Sequence, residues 1–277
     1  MIIVNYRCSL RFFLKFLKFL VVFVSFFDNF ENQETKPYSP LKKNYSLILL
    51  GLFLCIQNTF GQNQNEIQTY NWFDSAIGKE SLEYSAGTAH LNFDSTIDNQ
   101  HRYYKLDQFK NGNITYNNQS YYNLDLKYDI FTDELIIRPY PENSRIQINL
   151  VKEKMNSFMI ENEKFVNLKD LNTTYKSGYY EENIIGDNCI LYIKYIKAKK
   201  SIIEGTSSLI SYTPYCEFLL LKENKFILIN SKSEIIKLYP KQKRRIDDFY
   251  SINKGLKKES PGLFMKNLMK YINNFNL

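Results

Sequence analysis

The chain has 277 residues, 44% hydrophobic and 16% aromatic, with 22 Tyr and 21 Phe against one Trp, enough apolar material for one large or two small domains. Its formal net charge is +7, but residues 1–61 hold seven Lys/Arg against three Asp/Glu, which leaves 29 basic and 26 acidic residues and a net of +3 beyond them. So near a balance argues against a polyanionic partner, nucleic acid included.

Two apolar runs open the chain. The first, Phe12 to Phe27, is broken by Lys15 and Lys18. In the second, Lys42-Lys43 precede the apolar stretch Tyr45–Ile56, and Thr59-Phe60-Gly61 places small residues three and one positions before Gln62. That is the layout of a secretory signal peptide, and the run falls short of the roughly 20 residues that span a bilayer. Cleavage is expected near Gly61, so residues 41–61 are read as the signal peptide. Residues 1–40 are read as an extension of the reading frame, with translation starting at Leu41; the rival reading is an amphipathic or anchoring helix. Cys55 follows the apolar run as a lipidated cysteine would, but bulky Leu54 precedes it where that signal needs a small residue. Export is the expectation, to the periplasm, an outer-membrane association or the exterior.

Residues 62–68 read as polar and poorly ordered. Tyr70-Asn71-Trp72-Phe73 follows as an aromatic cluster in which Trp72 is expected to anchor the core. Beyond Leu91–Phe93, His101-Arg102-Tyr103-Tyr104 reads as a short strand.

Gly112 to Pro139 carries the strongest pattern. Leu124, Leu126, Tyr128 and Ile130 alternate with Asp125, Lys127 and Asp129, between the turn residues Asn117-Asn118-Gln119 and Thr132-Asp133. Three antiparallel strands are predicted: Ile114–Tyr116, Tyr121–Ile130 and Leu135–Arg138. Ile146, Ile148 and Leu150 predict another. Hairpins follow over Met155–Ile160 with Lys164–Leu168, Tyr179–Ile185 with Cys189–Lys197, and Cys216–Leu221 with Phe226–Asn230. Cys189–Ile196 is apolar on both faces and should be covered twice. Glu234–Leu238 reads as a last strand. Helical spacing begins after Pro240: Ile246, Phe249 and Tyr250 in one helix capped near Gly255, then Phe264, Leu268, Tyr271, Ile272 and Phe275 in a second that starts at Ser260-Pro261. The fold expected is mainly β, an antiparallel meander over 62–240 closed into a barrel or packed as a sandwich, with two C-terminal helices over 241–277 packed on it.

With the signal peptide ending in TFGQ, the block GNITYNNQSYYNLDLKYDIFTDELII, the segments KFVNL and GYYEE and the tail PKQKRRIDDFYSINKGLKK, the chain resembles, over most of residues 70–275, a group of uncharacterised exported β-rich cell-envelope proteins of gram-negative bacteria. The resemblance implies export and β architecture. It brings no activity, cofactor or catalytic residue with it.

Chemistry-bearing patterns are sparse. The only histidines are His90 and His101, and no nucleophile elbow accompanies either. Beyond the leader, two Cys and two His without paired spacing make no zinc site. Asp125, Asp129, Asp133 and Glu134 surround one strand and turn and read as a solvated face, with a calcium turn at Asp129–Glu134 as the sharper alternative. Glu181-Glu182 should point to opposite faces. Cys189 and Cys216 are the candidate disulfide. Lys241, Lys243, Arg244 and Arg245 form a basic run at a helix start, where the macrodipole disfavours it. No phosphate-binding glycine loop is present. The functional expectation is a non-catalytic exported envelope protein in a binding or structural role, its partner an envelope protein, a glycan or an apolar ligand, with no cofactor. The alternative is a hydrolase assembled around His101 and the meander carboxylates.

Overall fold

Alternating side chains on a pleated strand reach opposite faces, and the most regular stretch of the sequence behaves accordingly. In the computed structural model, which describes residues 62–97, 100–140, 145–169, 175–204 and 207–274, Leu126 and Tyr128 of this strand point into a core where they are 0% and 1% exposed. The readings of residues 1–61 lie outside the described residues.

The strands are β1 (Thr88–Ala89), β2 (Lys110–Tyr116), β3 (Gln119–Asp129), β4 (Glu134–Arg138), β5 (Ile148–Asn149), β6 (Met155–Ile160), β7 (Glu163–Leu168), β8 (Gly178–Gly186), β9 (Cys189–Glu204), β10 (Ser207–Lys222) and β11 (Lys225–Leu228). They form one 11-stranded sheet in the order β1-β5-β4-β3-β2-β6-β7-β8-β9-β10-β11. Local turns set most of this order. Asn117 and Asn118 take φ of 49° and 64°, and Glu223 and Asn224 take 52° and 61°, the left-handed pairs that close two-residue hairpins.

The expected antiparallel meander is present, but the barrel is not. The ladder ends at β1 on one side and β11 on the other, so the sheet is open, and the described residues form one sheet instead of the two a sandwich needs. The sheet curls through register shifts between Gly112 and Ile114, Thr115 and Tyr116, and Ile184 and Gly186. Its curl brings the β3–β4 turn back to β8 and β9, where Asp133 meets Lys194 at 2.8 Å.

Aromatic side chains fill the inside of the curl. Phe158 and Phe165 stack at 4.8 Å, and Tyr128 sets its edge against Phe158, Phe165 and Tyr179 at 5.3, 5.3 and 5.7 Å. A second cluster forms where Leu191 and Ile193 of β9 and Phe218 and Leu220 of β10 meet the C-terminal helices, while Tyr192 of β9 and Leu219 of β10 pack with Tyr180 of β8 on the opposite face of the sheet. β9 is thus apolar on both sides, as its sequence requires.

Helix α1 (Gln62–Ile77) occupies the stretch read as poorly ordered, and Gly78, at φ 90°, ends it. Helices α2 (Lys232–Leu238), α3 (Lys243–Ile252), α4 (Lys254–Glu259) and α5 (Pro261–Asn273) follow the sheet, where two were expected. The strand read at Glu234–Leu238 is α2, because Ser231 and Glu234 form a reciprocal cap: Glu234 N–H donates to Ser231 Oγ at 3.3 Å, and Ser231 N–H to Glu234 Oε2 at 2.7 Å. Gly255 lies inside α4; α3 instead ends at Asn253, whose side-chain amide donates to the Phe249 carbonyl at 3.0 Å. Pro261 opens α5 as expected, though the Ser260 side chain makes no capping bond. Phe264, Leu268 and Ile272 are buried in one stripe, and Phe275 lies outside the described residues. β5 keeps only Ile148 and Asn149 of the strand expected there, and the His101–Tyr104 strand reduces to one bridge between Tyr103 and Asp129.

Candidate functional site

Both histidines of the chain converge on one tyrosine. After β1, the His90 N–H pairs with the Gln147 carbonyl at 2.8 Å, then Thr96 bridges Ile210 of β10 and Tyr103 bridges Asp129 at the end of β3. This extended segment brings His90 Nε2 to 3.1 Å from the Tyr103 hydroxyl, while His90 Nδ1 lies 2.9 Å from Asn149 Oδ1. A neutral ring satisfies both contacts, donating at Nδ1 and accepting at Nε2. Burial, then the cations Arg102 and Lys127, hold His90 below the usual imidazole range against the Asn149 bond and Asp129, which favour charge. The His101 ring stacks on Tyr103 with centroids 6.2 Å apart, and its Nδ1 accepts the Tyr103 N–H at 3.2 Å. Lys127 Nζ sits 4.0 Å over the same tyrosine ring.

Lys197 completes the cluster. Its amine donates to the His101 carbonyl and lies 3.3 Å from His101 Nδ1. Burial drives it down to about 8, against the pull of Asp129 and Asp107. His101 is lowered in turn by burial and by Lys197. Among the described residues, neither imidazole hydrogen-bonds a carboxylate, so the arrangement holds neutral rings in place and supplies no relay of the Ser-His-Asp kind.

The meander carboxylates point elsewhere, and the solvated face expected of them is not found. Asp125 pairs with Arg138 at 2.7 Å, and Asp129, 0% exposed, pairs with Arg102 at 2.5 Å while its Oδ1 accepts the Phe131 and Thr132 N–H groups. Asp133 accepts from Lys152 at 2.6 Å, Lys194 at 2.8 Å and the Tyr128 hydroxyl at 2.6 Å. Glu134 accepts from Thr132 and Asn149, both at 3.1 Å. Each carboxylate is already held by protein donors, which leaves the calcium turn without a set of vacant ligands; no group of three or more His, Cys, Asp or Glu among the described residues could hold a metal.

Glu181 and Glu182 do point opposite ways. Glu181, 2% exposed, ties α5 to the sheet through Lys266 at 2.5 Å and the Tyr195 hydroxyl at 2.7 Å, while Glu182 meets Lys164 at 2.5 Å. Cys189 and Cys216 are free thiols, and the disulfide is excluded by register: Cys189 faces Lys222 and Cys216 faces Tyr195. That offset of six residues is about 20 Å at strand rise, against a reach of about 7 Å between bridged Cα atoms. Burial raises both, Cys216 to about 12. Lys241, Lys243, Arg244 and Arg245 are exposed where α3 begins.

Helix α1 holds the clearest surface anomaly. Trp72 is 69% exposed, Phe73 49% and Ile77 44%, while Asn71 and Asp74 turn inward. Trp72 is therefore not a core anchor. On the same helix, Tyr70 meets the Tyr122 ring of β3 at 6.1 Å, tilted by 43°. Among the clefts of the described residues, one of about 160 Å³ lies beside Tyr175, Tyr180 and Glu217 and one of about 20 Å³ beside Tyr104 and Glu161; neither of these takes in His90 or His101.

Lys197 and Tyr103 were invisible as site residues because nothing local marks them; their significance comes from a pairing about a hundred residues apart. The exposed row was readable in principle, since Tyr70, Phe73 and Ile77 recur at helical spacing. No protein-family model, no curated protein and no solved structure matches the chain.

Proposed function

We propose that the chain is an exported, non-catalytic β protein of the cell envelope, akin to the gram-negative group it resembles, which acts by binding or as a structural component. The observation that carries this reading is the fate of its reactive groups. Both imidazoles are fixed between Tyr103, Asn149 and Lys197, the meander carboxylates are spent on Arg102, Arg138, Lys152 and Lys194, and the inside of the curl is packed with the protein's own rings. Such a body offers its outer surface to partners. An envelope protein, a glycan or an apolar ligand would each suit the exposed aromatics.

The test has two arms. Purified protein is assayed against chromogenic esters, glycosides and phosphate esters beside His101→Ala; turnover above background that this substitution abolishes would establish the hydrolase alternative. Amino-terminal sequencing of the product recovered outside the cytoplasm should begin at Gln62; a product that retains Tyr6 to Pro40 would overturn the start at Leu41, and protein found only in the cytoplasm with its leader intact would overturn the export reading.

A further inference from the structure

We propose that α3 and α4 form a docking face for an anionic phospholipid surface, with their exposed cations among its phosphates and Ile252 entering the upper acyl region. The near balance of charge beyond residue 61 is the sum of two unequal parts. Residues 231–277 hold 11 Lys/Arg against four Asp/Glu, which leaves 18 against 22 in residues 62–230, so a tail of net +7 follows a body of −4. Charge asymmetry of this size points to an anionic surface as partner.

The fold makes little use of these cations. Lys257 and Lys258 follow Lys254 by three and four residues on the six-residue helix α4, all three exposed on one stripe where like charges repel. Lys243 and Arg244 open α3, where the helix dipole opposes them. Among the described residues, the side chains of Lys243, Arg244, Lys254 and Lys258 make no ion pair or hydrogen bond, and Lys257 makes only a ring contact, its Nζ 5.1 Å from the Tyr250 centroid. Charges that serve the packing of the helices are paired: Lys232 meets Asp247 and Lys266 meets Glu181, both at 2.5 Å. Against six exposed bases, α3 and α4 expose two acids, Asp248 and Glu259. Two electrostatic misfits on consecutive helices are thus relieved together by one anionic surface.

Ile252 selects lipid over an acidic protein or polymer. It is 81% exposed and closes α3 two residues before Lys254. A soluble polyanion leaves this side chain in water, whereas a bilayer adds apolar burial to charge attraction. Neither cleft described above reaches α3 or α4, which fits an extended surface and not a small discrete anion.

Purified full-length protein is sedimented with phosphatidylcholine vesicles that lack or contain phosphatidylglycerol. It should bind the second kind at least about tenfold more tightly and lose that gain in high salt. Each cation near an anionic surface is worth roughly fivefold, so the triple variant Lys254→Gln, Lys257→Gln, Lys258→Gln, which shares its leader with the wild type, should bind about a hundredfold more weakly. Because it also removes repulsion, its urea midpoint should equal or exceed that of the wild type, which cations serving the fold would not show. Ile252→Ser should weaken vesicle binding at least about threefold and leave retention on immobilised polyglutamate unchanged. Equal binding to both vesicle types, a triple variant that binds like the wild type, a midpoint that falls, or polyglutamate held as tightly as vesicles, which would make an acidic chain the occupant, each overturns the proposal. So does salt-sensitive self-association that the triple variant abolishes while vesicles stay unbound, which would make a second copy the occupant. None of these readouts depends on where the cell sends the protein, so their failure and that of the export reading are separable.

Discussion

Asp133 is where single side chains decide most. Burial would raise its carboxyl, but Lys194 and Lys152 outweigh that and hold it below its ordinary range. Lys194, 5% exposed, goes the other way: burial lowers it further than Asp133 restores it, and the neighbouring Lys152 charge adds to the fall. Asp133→Asn keeps the shape and strands a buried ammonium, so it should cost about 3 kcal/mol in a urea titration at neutral pH. The sign with pH follows from the depressed carboxyl: its stabilisation is complete above the unfolded value of 3.8 and is lost as pH falls below it, so wild type and variant should converge in acid. The sequence marked Asp133 as a turn carboxylate but not as a clasp. Asp133 stands in an obvious turn, whereas Lys194 lies 61 residues on and becomes its partner only when the sheet curls.

Among the elements, hairpins were legible and short helices were not. β6 and β7 match their predicted bounds closely because their turn is local, and a two-residue period needs no distant information. In α2, Ile235, Ile236 and Leu238 look like strand residues by composition, yet the Ser231-x-x-Glu234 cap was present in the sequence and decided the outcome. Ser231→Ala should therefore destabilise the protein by about 1 kcal/mol in chemical denaturation, and Ser231→Asp should restore most of the loss. β9 and β10 run to 16 residues each, well past their predicted ends, because they continue to pair with one another where β8 and β11 have stopped. Strand length here is set by the partner across the ladder, which a single sequence window does not contain.

For the whole molecule, the concentration of buried tyrosine sets a pH limit. Burial raises Tyr103, Tyr192 and Tyr250 to about 12, and raises Tyr128 and Tyr179 as well, whereas unfolded tyrosines ionise near 10. A group raised in the fold contributes stability that is whole below the unfolded value and lost as pH climbs through the folded one. Stability should thus be unaffected by tyrosine up to pH 10 and then collapse before pH 12, with tyrosinate absorbance and loss of the β-sheet circular-dichroism signal rising together; gradual tyrosine ionisation with the sheet intact would contradict the buried assignment. The open sheet was beyond the sequence for the same reason as the Asp133 clasp, since alternation dictates strands and says nothing of whether the last meets the first.

The ladder from β6 to β11 runs in chain order, each strand lying beside the one made just before it. A polypeptide delivered amino end first through a narrow passage could therefore build this half of the sheet rung by rung, with little waiting for residues still to arrive. The helices that cover β9 and β10 come last, so the side of the sheet they protect is the final one to be sealed.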